Sequence, residues 1–154
     1  MKRALLLLAA LPAAAQSNYV GLGAGYNGGT TPNLNVTFTY ATLIAKSSPA
    51  LWSYTSGDYV SARTHPFSVK PSLRTGLLMV IRNWKYVMIG EMFNAGATGG
   101  TTGGILPSIG VGGLVMFKLP NSFTVSVDVH EAAAIQPNGT SWTVQSVLLL
   151  GHVW

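Results

Sequence analysis

Apolar and polar side chains alternate along most of this chain. In residues 34–45, LNVTFTYATLIA, one face carries Leu34, Val36, Phe38, Tyr40, Thr42 and Ile44, and the other Asn35, Thr37, Thr39 and Ala41. A period of two over a dozen residues rich in β-branched and aromatic types predicts a strand with one apolar and one polar face. Residues 122–134 repeat the pattern, setting Phe123, Val125, Val127 and Val129 against Ser122, Thr124, Ser126, Asp128 and His130. In residues 19–26, Val20, Leu22, Ala24 and Tyr26 oppose Gly21, Gly23 and Gly25. In residues 105–119, Ile109, Val111, Val115 and Phe117 oppose Ser108, Gly110, Gly112 and Lys118, and residues 142–154 form a last strand.

Three further strands are less regular. Residues 50–62 place Trp52 and Tyr54 on one side and Ser53, Thr55 and Gly57 on the other. Residues 72–81 and 86–94 accept either phase, so their charges orient them. Arg74 and Glu91 are predicted to face inward, because a charge facing lipid at mid-depth costs a few kcal/mol. The total is eight strands. The connections fall into two kinds: residues 27–33, 63–71, 95–104 and 135–141 are roomy and rich in Gly, Thr, Asn and Pro, whereas 46–49, 82–85 and 119–122 are tight turns. The two kinds alternate, as in an even-numbered antiparallel barrel with short turns at one end and longer loops at the other.

Composition sharpens this reading. Charged residues make up 8% of the 154 residues and hydrophobic ones 48%, yet no stretch after the first few residues is long and apolar enough for a membrane helix. A chain this apolar either builds a large soluble core or turns alternate strand residues toward lipid. The first residues, MKRALLLLAALPAAAQS, read as a secretory signal peptide: Lys2 and Arg3, an apolar run from Ala4 to Leu11, and a small-residue cleavage site at Ala13–Ala15. The expected division is residues 1–15 as signal peptide and 16–154 as one barrel domain. Without Lys2 and Arg3 the formal charge falls from +5 to +3. The remaining basic residues form no patch, which disfavours nucleic acid as a partner. There is no Cys, which excludes a disulfide scaffold.

The aromatic residues fall into two groups along the strands. Trp52, Trp84, Tyr86, Phe117, Phe123 and Trp154 lie near the short-turn end, and Tyr26, Tyr59, Phe93 and Trp142 near the long-loop end. Two girdles are what the interfaces of a bilayer favour. An eight-stranded barrel is just wide enough for side chains to fill it. The expected inward polar network is therefore Arg74, Glu91, Lys118, Asp128 and His130, with opposite charges paired.

The signal-like start, the eight alternating strands and the final WTVQSVLLLGHVW, ending on an aromatic, resemble the small outer-membrane β-barrels of Gram-negative bacteria with OmpA/OmpX-like architecture. The resemblance implies an all-β fold, a closed antiparallel up-and-down transmembrane β-barrel placed in the outer membrane among its lipids. It also implies recognition of the last strand by the barrel-assembly machinery. Gly151 sits later than that group's glycine, and His152 takes a position usually apolar.

Chemistry is sparse. Asp128, His130 and Glu131 form the densest ionisable cluster. Their segment resembles the His-x-Ser-Asn-Ala stretch of outer-membrane lipid A deacylases at His130 alone. Ala132 stands where the nucleophilic serine would be and Ala133 replaces the Asn. A nucleophilic site needs a Ser or Cys beside a base, so no catalytic residue is assigned. His65, His130 and His152 are scattered, so no metal site is expected, and no motif calls for a cofactor. The first functional reading is a non-enzymatic envelope scaffold or surface-exposed interaction and adhesion protein, with an extracellular ligand at the long loops. The alternative is a narrow channel or binding barrel for a small or apolar solute. A lipid-modifying enzyme and a secreted lipocalin-like binder rank below these.

Overall fold

The computed structural model of the chain describes residues 17–28, 33–62, 68–99 and 104–154. The expected signal peptide and its cleavage site lie outside the described residues. The described chain forms eight strands: β1 (Asn18–Gly28), β2 (Asn33–Ala45), β3 (Ala50–Ala62), β4 (Ser68–Asn83), β5 (Val87–Gly99), β6 (Ile105–Lys118), β7 (Phe123–Gln136) and β8 (Gly139–Val153). Each pairs antiparallel with the next and β1 pairs with β8, so the sheet closes into an up-and-down barrel with no free edge.

The barrel is inside out by the standards of a soluble protein. Leu22 is 61% exposed, Leu150 65% and Phe38 52%, whereas Thr37 and Ser126 are wholly buried. Val36 and Val127 are also exposed on the outer wall. An apolar surface that encircles the molecule far exceeds the few hundred Å² a water-soluble monomer tolerates. Hydrocarbon is the solvent that suits such a wall, so a soluble calyx with a wet exterior does not fit.

The seam is completed by the last residue. Asn18 N–H donates to the Trp154 carbonyl (2.8 Å) and Trp154 N–H donates back to Asn18 (3.0 Å). Pairing thus continues through the aromatic. On the outer wall beside it, the His152 ring meets Phe123 edge-on at 5.2 Å and stacks on Trp154 at 6.1 Å. His152 therefore sits within an aromatic cluster at the short-turn rim, where a polar ring can reach water.

The strands run further than their periodicity suggested. β4 begins at Ser68, β5 extends to Gly99, and β7 and β8 meet at a two-residue turn, so 135–141 is a tight hairpin in place of a roomy loop. Gly139 occupies the left-handed side of φ at this hairpin (φ 140°), a conformation that side chains disfavour. At the opposite end, Pro120–Ser122 forms one turn of 3₁₀ helix in which Asn121 and Ser122 both have positive φ.

A polar lumen above an apolar cup

The inward face is divided into two tiers. Toward the β1–β2, β3–β4, β5–β6 and β7–β8 connections it carries Asn35, Thr37, Asp58, Arg74, Asn94, Ser108, Asp128, His130 and Gln145. Toward the short turns it carries Tyr19, Ala41, Tyr54, Leu78, Val80, Met88, Met92, Leu114 and Met116.

Arg74 of β4 organises the upper tier. Its guanidinium bonds Asp58 of β3 on one side and Nε2 of His130 of β7 on the other. Side-chain exposure is 4% for Arg74 and 1% for Asp58, so water does not share this ion pair. Asp58 also accepts from Thr37 Oγ1 (2.7 Å) and Ser72 Oγ (2.9 Å), which places three donors on one carboxylate. A carboxylate only accepts, so His130 Nδ1–H donates to Asp128 Oδ1 (3.0 Å). The side-chain amide of Gln145 on β8 also lies 2.6 Å from His130 Nε2; because that nitrogen accepts in this tautomer, the amide meets it through its NH2. The network thereby ties β2, β3, β4, β7 and β8 together across the lumen. Buried charges without such partners would be very costly.

The structure distributes the expected site residues unevenly. Arg74, Asp128 and His130 meet in this network. Lys118 is on the inward phase but at the short-turn rim, where its ammonium bonds Asn83 Oδ1 and donates to the Trp84 carbonyl at 2.8 Å. Glu91, expected inside, is exposed on the outer wall between Met79 and Gly113. Among the aromatics, Tyr26, Trp84, Tyr86, Phe117, Phe123, Trp142 and Trp154 are exposed on the outer wall. Trp52 is the other correction: it packs against the inner apolar tier and belongs to no girdle. The side chain of Tyr59 lies outside the described residues.

Both corrections have one cause. Directly opposed residues of an antiparallel pair share a face, and a one-residue slip exchanges the faces. Near the turns, Ala45 pairs with Leu51 and Arg82 with Ile89. Extending those registers would set Ala41 against Thr55 and Arg74 against Ala97, turning Trp52 outward and Glu91 inward. A β-bulge between Leu43 and Ala45, and a second between Val80 and Arg82, shifts each register by one. Tyr54 then lies against Ala41, and Gly96 against Arg74.

Asp58 and Gln145 are the members of the network that periodicity alone did not single out. Asp58 shares the phase of Trp52 and Tyr54. The rule that turned Arg74 inward applies equally to that carboxylate and would have oriented β3. Gln145 carries no charge and gave no comparable signal.

A carboxylate on the lipid-facing wall is deprived of its hydrating water. Replacing Glu91 by Leu is expected to raise the urea midpoint of the folded barrel in lipid vesicles, by about 1–2 kcal/mol of stability. An unchanged or lowered midpoint would mean that Glu91 has a favourable partner in the membrane.

On the short-turn side of the network, which closes it as a floor, lies a cavity of about 430 Å³. Its walls are Tyr19, Ala41, Trp52, Tyr54, Leu78, Met88, Met92, Leu114, Met116 and Leu149, its floor is Arg74, Asp128 and His130, and Asn83, Lys118 and Ser122 stand at its short-turn mouth. Among the described residues, no group of three or more His, Asp or Glu side chains could hold a metal ion. No hydroxyl is bonded to His130 among those residues; its two ring nitrogens are engaged by Asp128, Arg74 and Gln145.

No family model matches this chain, and no curated protein matches it. Solved structures do. A major outer membrane protein from Thermus thermophilus superposes with a TM-score of 0.64 at 11% identity, over 91% of this chain and 100% of that one. The fold is that of the small eight-stranded outer-membrane barrels. The attachment invasion locus protein Ail of Yersinia pestis gives 0.59 at 12% identity, over 90% and 98% of the two chains. The outer membrane enzyme PagL gives 0.57 at 16% identity, over 87% and 98%. One architecture therefore serves an enzyme and an attachment protein, and the residues of this lumen must carry any functional argument.

Proposed function

We propose that the chain is a non-conducting, non-enzymatic barrel of the bacterial outer membrane, an envelope protein whose lumen is sealed by its own charges. The observation that carries this reading is the Asp58–Arg74–His130–Asp128 network, which fills the middle of a narrow barrel from several strands at once. A lipid-facing exterior, a closed seam and aromatic residues at both ends support the location. Recognition by the barrel-assembly machinery is supported by a last strand paired through Trp154. The reading as a non-enzyme rests on a His–Asp pair to which, among the described residues, no Ser or Thr hydroxyl is bonded through the His130 ring.

The surface-interaction role is the second reading, supported by the presence of Ail among the structural neighbours. Any such contact would use the four connections at the end away from the short turns. Three of these lie between strands that end at Gly28, Ala62 and Gly99 and resume at Asn33, Ser68 and Ile105.

Refolded protein in planar bilayers is expected to give no conductance steps, to co-fractionate with outer membranes, and to change gel mobility on boiling. Discrete wild-type steps would overturn the sealed lumen. Turnover of labelled membrane lipid that is lost in His130→Ala would overturn the non-enzymatic reading.

A further inference from the structure

The cup on the short-turn side of the network is larger than close packing of a barrel core requires. At roughly 30 Å³ per water, its 430 Å³ would hold about fourteen molecules of solvent. Yet its walls are mostly apolar, and a dry void in a packed interior is itself costly. The mouth is at the short-turn end, and the floor lies five residues along β7 from Phe123, so the cup is about 13 Å deep. Three of the wall residues are methionines, whose flexible thioethers adapt to a guest.

The charges define what kind of guest fits. Each charged group that lines the cavity is already engaged: Arg74 by Asp58, Asp128 by His130, and Lys118 by Asn83 and the Trp84 carbonyl. A charged head group would be stripped of water with no free counter-charge to meet it. Two groups that line the cavity, in contrast, hold a buried polar atom without a partner among the described residues: Nε of Arg74 in the floor, on a residue 3% exposed, and the Thr124 hydroxyl, on one also 3% exposed. Both can donate, and an oxygen that only accepts hydrogen bonds suits them.

We infer that the cup is a binding site for a compact, uncharged, largely apolar molecule with an acceptor oxygen, of the ketone, quinone or ester class, which enters from the short-turn end and places that oxygen toward Arg74. This inference goes beyond the sealed-lumen reading and is tested apart from it, since the assay reads the wall of the cup and not conductance.

The probe is 1-acetonaphthone, with the anionic near-isostere 1-naphthoate as comparison. The protein carries ¹³C-methyl methionine and is held in lipid nanodiscs. Met88, Met92 and Met116 line the cup, whereas Met79 is on the outward phase opposite Glu91 and reports partitioning into lipid. The expected result is a saturable shift of the three cup methyl resonances with Met79 unmoved, and binding of 1-naphthoate roughly tenfold or more weaker at neutral pH. Ala41→Phe and Leu114→Trp fill the cup from opposite strands and should each abolish the shift while heat-modifiable mobility is kept. If one of them fails to fold, the other and the naphthoate comparison still decide. Shifts that never saturate, that appear equally at Met79, that survive both fillings, or that are matched by 1-naphthoate would overturn the inference.

Discussion

Arg74→Met is expected to destabilise the barrel by about 3–5 kcal/mol, the usual cost of removing one member of a buried ion pair. The substitution keeps an unbranched side chain of similar reach but takes the guanidinium from Asp58 and His130 together. Asp58 would then be buried with only the Thr37 and Ser72 hydroxyls as donors. His130 would keep Asp128 and Gln145. The urea midpoint of protein refolded into lipid vesicles measures the effect, and its slope checks that unfolding stays cooperative. The double variant Asp58→Leu/Arg74→Met should recover most of the loss, because the penalty belongs to the orphaned carboxylate and not to the missing pair. A single variant within about 1 kcal/mol of wild type would show that water reaches Asp58 and that the lumen is not sealed there.

Gly151→Val is expected to weaken closure of the barrel by about 2–3 kcal/mol through overpacking. The Tyr19 ring lies over Gly151 and Gly21 at the β1–β8 seam, and a Cβ on Gly151 would fall well inside van der Waals contact with Tyr19 Cε2. The ring would have to leave, and with it the contact of its hydroxyl with Ser126 (3.3 Å). The fraction of protein that runs as the compact form on an unboiled gel should fall after refolding. Gly151→Val/Tyr19→Ala should restore it, since the clash is with that ring. Gly113→Ala is the matched control: an added methyl there has its nearest neighbour at 3.9 Å, and no loss is expected. A Gly151→Val protein that folds as completely as wild type would mean that Tyr19 has another place to go.

The lumen also shows why one fold among the structural neighbours cannot transfer a function. The parts that resemble them, strand number, closure and an apolar exterior, follow from crossing a bilayer with strands. The parts that would distinguish a scaffold, an enzyme or a binder are a few inward side chains, and at 11–16% identity these are not shared by inheritance of the fold alone.

Local alternation was enough to determine the architecture. A period of two in 34–45 and 122–134 sets which face of β2 and β7 is apolar, and Gly21, Gly23 and Gly25 of β1 and Gly110 and Gly112 of β6 mark their strands' inner faces. Turn residues at 46–49, 82–85 and 119–122 place the short turns, and the even strand count follows. Register was decided only in three dimensions. The bulges at Leu43/Ala45 and Val80/Arg82 leave no signature in the alternation, yet each reverses the facing of the strand beyond it. They carry Asp58 into the lumen beside Arg74, bring Trp52 to the wall of the cup, and leave Glu91 against the lipid. Periodicity says that two faces differ. Which of them faces the axis depends on how neighbouring strands are paired, and that is a property of the closed sheet.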